Sequence, residues 1–205
     1  MNVLIAGYAY IRENYFNTFK FYPEPDSVFF LLPKIWKAKD GKVVFHPSKG
    51  PNVFLSKAYF YHSHYPLVGG LLKGWLPAFP FVLRRLKRKN KIGLVFSPSE
   101  PILLTTLYQA FWSKLFGLKH VIFTWENIPY DQKLKGSKGW FQKIVIKLNL
   151  FFCDAVVCGN KKGAEIFGKL TAKPIEVIPL SGVDSEFFKR ENVEKKFNGI
   201  DLTDR

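Results

Sequence analysis

Between Asp40 and Glu100 the chain has no acidic residue, yet ten lysines and arginines fall in that stretch, six of them within RRLKRKNK, Arg84 to Lys91. Over all 205 residues, 31 basic side chains stand against 16 acidic ones, a formal net charge of +15. A field of that kind draws anions: nucleic acid, an anionic membrane face or a phosphorylated small molecule. Charge alone does not choose among them.

Long apolar runs are also missing. The nearest, PLVGGLLKGWLPAFPFVL from Pro66 to Leu83, carries Lys73 and three prolines, which would break a membrane helix needing roughly 18 apolar residues. The N-terminus, MNVLIAGYAYIREN, turns polar after a short apolar run. That is no secretory start, and a cytoplasmic address is the default expectation. Only two cysteines occur, both in CDAVVC. If this segment is a strand, Cys153 and Cys158 lie on opposite faces, which excludes a disulfide or a shared metal and leaves buried thiols in a reducing compartment.

Phosphate-binding glycines are scarce as well. GYAYIREN offers Gly7 alone, too few for a dinucleotide loop, whose backbone must approach a pyrophosphate. No Walker motif, Gly-x-Ser-x-Gly elbow or His-Glu-x-x-His pair appears. His62 and His64 alternate in YHSHY as they would on one face of a strand, but no carboxylate or thiol stands beside them. A polar loop is favoured over a metal site there. No metal and no cofactor is expected, and no internal repeat or low-complexity tract is present.

What the sequence does have is a packed-core composition, 47% hydrophobic and 17% aromatic, and a succession of short apolar runs. NVLIA (Asn2 to Ala6), SVFFLL (Ser27 to Leu32), KVVF (Lys42 to Phe45), NVFL (Asn52 to Leu55), IGLVFS (Ile92 to Ser97), KHVIFT (Lys119 to Thr124), DAVVCG (Asp154 to Gly159) and PIEVIP (Pro174 to Pro179) read as strands buried on both faces. Helices are expected near Phe79 to Lys89; in PILLTTLYQAFWSKLFG, capped by Ser99 and ended by Gly117; in GWFQKIVIKLNLFF; and in NKKGAEIFGKL, capped by Asn160. From Ile92 onward strand and helix alternate. That order calls for an α/β fold: a doubly wound, mostly parallel sheet with helices on both faces.

Ligands of such a sheet bind outside the carboxyl ends of its strands. The loops so named are GYAY after Ala6, SPSEP with Ser97, WENIP after Thr124, GNKKG after Cys158 and LSGVD after Pro179. In TWENIPYD, Trp125, Glu126 and Asn127 follow a buried apolar run. A carboxylate there binds a hydroxyl, acts as a base or caps the next helix.

The segment DAVVCGNKKGAEIFGKLTAKPIEVIPLSGVDSEFF resembles family-4 retaining glycosyltransferases of the two-lobed GT-B type. The shared features are a strand led by Asp154, a short helix, a strand ending in Ile178-Pro179 and a turn with Gly182, Val183, Asp184 and Phe188. The likeness covers about residues 92 to 188, and the first 90 only through MNVLIAGYAY, Met1 to Tyr10, as an opening strand. It departs where the family often has a Gly-Gly pair, here Gly7-Tyr8; where many members have His, here Glu126; and at Ser181, where Asn is common.

The resemblance implies a Rossmann-like N-terminal lobe over residues 1–188 and a linker or tail over 189–205 toward a donor-binding lobe outside this sequence. It implies an acceptor site lined by Gly7, Tyr8, Ser97, Trp125 and Asn127, with Glu126 as the catalytic group polarising the acceptor hydroxyl. Ser181, Gly182 and Asp184 would sit at the cleft. The partners implied are a nucleotide-sugar donor, held mainly by the other lobe, and a sugar, lipid-linked or polysaccharide-precursor acceptor. A single lobe would not turn over alone. Enzymes of this kind that act on lipid-linked acceptors sit on membranes, so Trp75, Arg84, Arg85, Lys87 and Arg88 are candidates for an anionic membrane surface. A solvated helix end explains the same basic run equally well. Two alternatives remain: a basic nucleic-acid-binding module, which leaves the strand order unexplained, and a stand-alone subunit completing its cleft with a partner chain.

Overall fold

The chain runs β1 (Asn2–Ala6), a 3-10 turn (Ala9–Ile11), α1 (Glu13–Asn17), β2 (Val28–Pro33), β3 (Trp36–Lys37), β4 (Val44–Phe45), β5 (Val53–Ser56), α2 (Phe79–Asn90), β6 (Ile92–Ser97), α3 (Leu104–Leu115), β7 (Lys119–Thr124), α4 (Tyr130–Lys133), α5 (Gly136–Phe152), β8 (Ala155–Cys158), α6 (Lys161–Gly168) and β9 (Ile175–Val177). A small antiparallel pair, β10 (Lys196–Phe197) and β11 (Ile200–Asp201), follows. The computed structural model describes residues 1–17, 19, 22–38, 43–64, 69–179, 196–197 and 200–201.

Seven strands form one sheet in the order β5-β2-β1-β6-β7-β8-β9, every adjacent pair parallel. Its unbroken apolar runs explain why both faces are covered. All six residues of β2 are buried, which a strand achieves only with cover on each side. Alternation divides the side chains. Leu4, Ala6, Phe29 and Leu31 share a cluster with Phe79, Leu83 and Leu86 of α2, whereas Ile5, Phe30 and Leu32 join Tyr10, Phe16 and Phe19. Farther along, Ile122, Val156 and Cys158 pack with Ile146 and Leu150 of α5 and Ile166 and Phe167 of α6. The sheet is thus the expected doubly wound α/β architecture, Rossmann-like, and its strand order reverses between β1 and β6.

Three helix ends show how local chemistry fixes these elements. Asn160 caps α6 by accepting the Gly163 N–H at 2.7 Å. At the end of α3, Gly117 takes φ +67, its N–H bonding the Lys114 carbonyl and the Leu118 N–H the Ser113 carbonyl, both at 2.9 Å. This is a Schellman stop, with Leu118 buried in the core. At Gly139 of α5, a Cβ would lie 2.5 Å from the Leu134 carbonyl carbon, so only glycine fits.

Some expectations are corrected. Ser99 does not cap α3, which starts at Leu104 with no side-chain cap. The Leu71 carbonyl instead accepts the Leu104 N–H at 2.8 Å. Val44–Phe45 lies outside the main sheet, paired antiparallel with Trp36–Lys37. Helix α5 begins at Gly136, three residues before the expected GWFQKIVIKLNLFF segment. Cys153 precedes β8 and shares one buried cluster with Cys158, not opposite faces of a strand. Both thiols are free, and burial pushes each up to about 11. Among the described residues no helix is long and apolar enough to cross a membrane.

Candidate functional site

The strand-order reversal places the end of β1 beside the end of β6, and the loops leaving this edge build a cavity of about 510 Å³. Its wall starts just after Gly7, at Tyr8, and Gly7 sets the turn. There φ is +145, in the region that favours glycine, and the N–H bonds the Leu31 carbonyl at 3.1 Å. The next residue, Tyr8, stacks on Trp36 with centroids 4.2 Å apart and planes 9° from parallel. Tyr61 meets Trp36 edge-on at 5.4 Å. Behind Tyr8 lies Gly74, φ +73, where a Cβ would come within 2.5 Å of the Tyr8 ring. The close approach of ring to backbone therefore requires glycine there.

Two cations complete this wall. Lys73 Nζ stands 4.6 Å from the Tyr8 ring centroid, and Arg12 Cζ lies 4.7 Å from that of Phe45. Both contacts orient a cation through the ring quadrupole. Neither forms an ion pair among the described residues. Among the described residues, no aspartate or glutamate lines the cavity.

Across the mouth stands Trp125, 45% exposed. Its loop is held from several sides. Its N–H donates to Glu100 Oε1 at 2.7 Å and its carbonyl accepts from Asn160 Nδ2 at 3.3 Å. The indole meets the Phe123 ring edge-on at 5.5 Å and lies so close to Gly159 that a Cβ there would fall 2.4 Å from it. Glu100 also accepts from Thr124 Oγ1 at 2.6 Å. Burial raises its carboxyl above the usual range, partly offset by those two bonds.

The expected site residues separate in space. Tyr8 and Trp125 line the cavity, whereas Gly7, just beyond β1, does not. Ser97 does not reach it. Fully buried, its hydroxyl donates to Gln109 Oε1 at 2.5 Å and lies 2.8 Å from His120 Nε2. It shares the inward face of Val95, which period-two alternation could have signalled. Glu126 is 7% exposed and turned into its own loop. Oε1 accepts the Asn127 and Ile128 N–H groups at 3.2 and 3.3 Å, and Oε2 accepts from Lys133 Nζ at 2.7 Å. Asn127 is exposed but is not part of the cavity wall. Ser181, Gly182 and Asp184 lie outside the described residues.

Arg12, Trp36 and Lys73 also line the cavity, although no motif marks them as ligands. Lys73 stood inside the acid-free stretch, and Arg12 closes the GYAYIREN loop. His62 and His64 fall in a loop, the His64 N–H donating to His62 Nδ1 at 3.3 Å. No group of three metal-ligating side chains occurs among the described residues.

On α2, Arg84, Arg85, Lys87, Arg88 and Lys89 are exposed beside Phe81, 77% exposed. Trp75 belongs elsewhere. It packs between Tyr59 and Tyr108, with centroids 6.0 and 6.1 Å away. A larger groove of about 760 Å³ runs between α4, α5 and α6. It lies away from the strand-order reversal, which is why the smaller cavity is the better ligand site.

No protein-family model matches this sequence, and neither does any curated protein. Among solved structures, HepE of Anabaena in complex with UDP superimposes with a TM-score of 0.53 at 13% identity. The match takes in 92% of this chain and 46% of HepE, so the chain spans about half of that protein's length. A likeness at this identity establishes the α/β fold.

Proposed function

We propose that the chain is the acceptor-binding lobe of a nucleotide-sugar-dependent, retaining glycosyltransferase of the GT-B type, the donor being held mainly by a second lobe. The observation that carries this reading is the aromatic cavity at the strand-order reversal, where an indole fixed on three sides presents an open face. A pyranose stacks on such a face at little cost in ordering, since the ring is already immobilised. The match to half of a protein that binds UDP supports a place beside a nucleotide site. The lobe's part in catalysis is then orientation: holding an acceptor hydroxyl in line with a donor carbon converts a bimolecular step into an effectively unimolecular one.

Glu126 takes a positioning role here. Its carboxylate is engaged by two backbone N–H groups and Lys133, which fixes the loop that carries Trp125. Incubated with acceptor saccharides and a panel of nucleotide sugars, the 205-residue chain is expected to bind saccharide with a tryptophan fluorescence change that Trp125→Ala removes, and to give no transfer. Absence of any saccharide binding overturns the acceptor reading. Full transfer overturns the division of labour between lobes.

The outer face of α2 supports a peripheral membrane location on the cytoplasmic side. Phe81 offers an apolar anchor and the arginines a charge worth about 1 kcal/mol each near an anionic surface. Co-sedimentation with vesicles containing phosphatidylserine is expected, absent for neutral vesicles, and weakened roughly a hundredfold by Arg84→Gln/Arg85→Gln/Arg88→Gln together. Binding indifferent to anionic lipid removes the membrane role. Steeply salt-dependent retention of RNA or DNA in a gel shift favours the nucleic-acid alternative instead.

A further inference from the structure

We infer that the cavity takes a phosphate-bearing sugar, the phosphate seated between Arg12 and Lys73 while the sugar ring rests on Trp125. The inference rests on the acceptor-lobe reading and adds the chemical class of the acceptor.

Its starting point is an imbalance of charge. Among the described residues, Arg12 and Lys73 line one cavity that no carboxylate enters, and neither has an ionic partner. Four lysines elsewhere do find acids: Lys133 with Glu126, Lys162 with Glu165, and Lys114 and Lys119 with Asp154. Two unneutralised cations held in a concave surface repel one another, a cost a bound anion removes.

The cations are also placed, not free. Phe45 holds the guanidinium and Tyr8 the ammonium. Tyr8 in turn is locked between Trp36 and Gly74. Preorganised donors of this kind favour a dianion with several acceptor oxygens over a single carboxylate, since guanidinium and ammonium can each engage separate oxygens. The neutral part of the ligand has its own surface. Trp125 is the half-exposed ring of the cavity, whereas Trp36 is 8% exposed and already covered by Tyr8.

Calorimetric titration of the 205-residue chain with glucose 1-phosphate, glucose, glucuronate, inorganic phosphate and UDP tests this. Glucose 1-phosphate is expected to bind at least tenfold more tightly than glucose or glucuronate, and inorganic phosphate more weakly than the sugar phosphate. Arg12→Gln and Lys73→Gln should each shrink the phosphate preference several-fold, while Arg12→Lys and Lys73→Arg retain most of it. Should a glutamine variant fail to fold, raised salt on the unaltered chain supplies the same answer by weakening glucose 1-phosphate and sparing glucose.

Equal affinity for glucose and its 1-phosphate, with Trp125→Ala still abolishing both, overturns the phosphate subsite and leaves the acceptor reading standing. Loss of all saccharide binding overturns the two together. UDP displacing glucose 1-phosphate with equal or higher affinity, in an Arg12- and Lys73-dependent manner, assigns the cations to the donor and overturns the inference.

Discussion

Acidification from pH 6.5 toward pH 3 is expected to strip the domain of a large part of its stability, and His120 is the main cause. Burial, only partly opposed by the nearby Asp154 charge, holds its imidazole down to about 3. The unfolded chain takes up that proton near 6.5, the folded one only near 3. Stability due to the neutral ring is therefore complete above the unfolded value and is lost as pH falls through this window, with a ceiling of about 5 kcal/mol. Protonation would place an N–H at Nδ1, a buried atom without a hydrogen-bond partner among the described residues, since Ser97 donates to Gln109 and so already accepts from His120 Nε2–H.

Two carboxylates modulate the curve in opposite directions. Asp154 is raised by partial burial but lowered more by the His120 N–H, Lys119 and Lys114, so its net low value adds to the acid loss at the lower end of the range. Glu100, raised by burial, gains relative stability on protonation and offsets part of it. Urea melts at pH 7.5, 6, 5 and 4 give the slope, and His120→Gln, which keeps a donor toward Ser97, should flatten it. An unchanged slope in that variant would refute the assignment.

Gly159→Ala is expected to cut saccharide affinity tenfold or more without unfolding the chain. The backbone of residue 159 cannot retreat. Its N–H bonds the Thr124 carbonyl at 2.8 Å and the next residue caps α6. The indole of Trp125 must move instead, because the new Cβ would lie 2.4 to 2.6 Å from three of its atoms. Overpacking of this sort costs about 1–3 kcal/mol, which urea melts will detect, and the displaced ring should change intrinsic fluorescence. Wild-type affinity in Gly159→Ala would mean that Trp125 is not the surface on which the sugar rests.

The strands were legible because burial on two faces writes itself as consecutive apolar residues. Ile92–Ser97 and Lys119–Thr124 have the expected bounds, and Asn160 announces its helix by a local bond that needs no tertiary partner. The start of α3 was not legible. Its first N–H groups are satisfied by Leu71, a residue from the distant aromatic loop, and no side chain near Ser99 records that contact.

The site divides the same way. Tyr8 and Trp125 follow from the rule that ligands gather at strand ends. Trp36, in the short strand β3, and Lys73, in a loop, reach the cavity where Gly74 packs against Tyr8, a contact distant in sequence. Glu126 occupied the anticipated place with a different orientation, because Lys133 and two N–H groups of its own turn compete for its oxygens.

The position of β1 bears on how the chain is made. Although it is synthesised well before β6, it lies inside the sheet, paired on one side with β2 and on the other with β6, where Asn2 stands opposite Ile92. Until β6 leaves the ribosome, the apolar run Val3 to Ala6 keeps one row of N–H and carbonyl groups unpaired. Pairing so distant in sequence closes slowly, because the entropy of a long loop must be lost before contacts reward it. The nascent chain thus passes through a prolonged stage with an open sheet edge, the state in which association with other chains competes with folding.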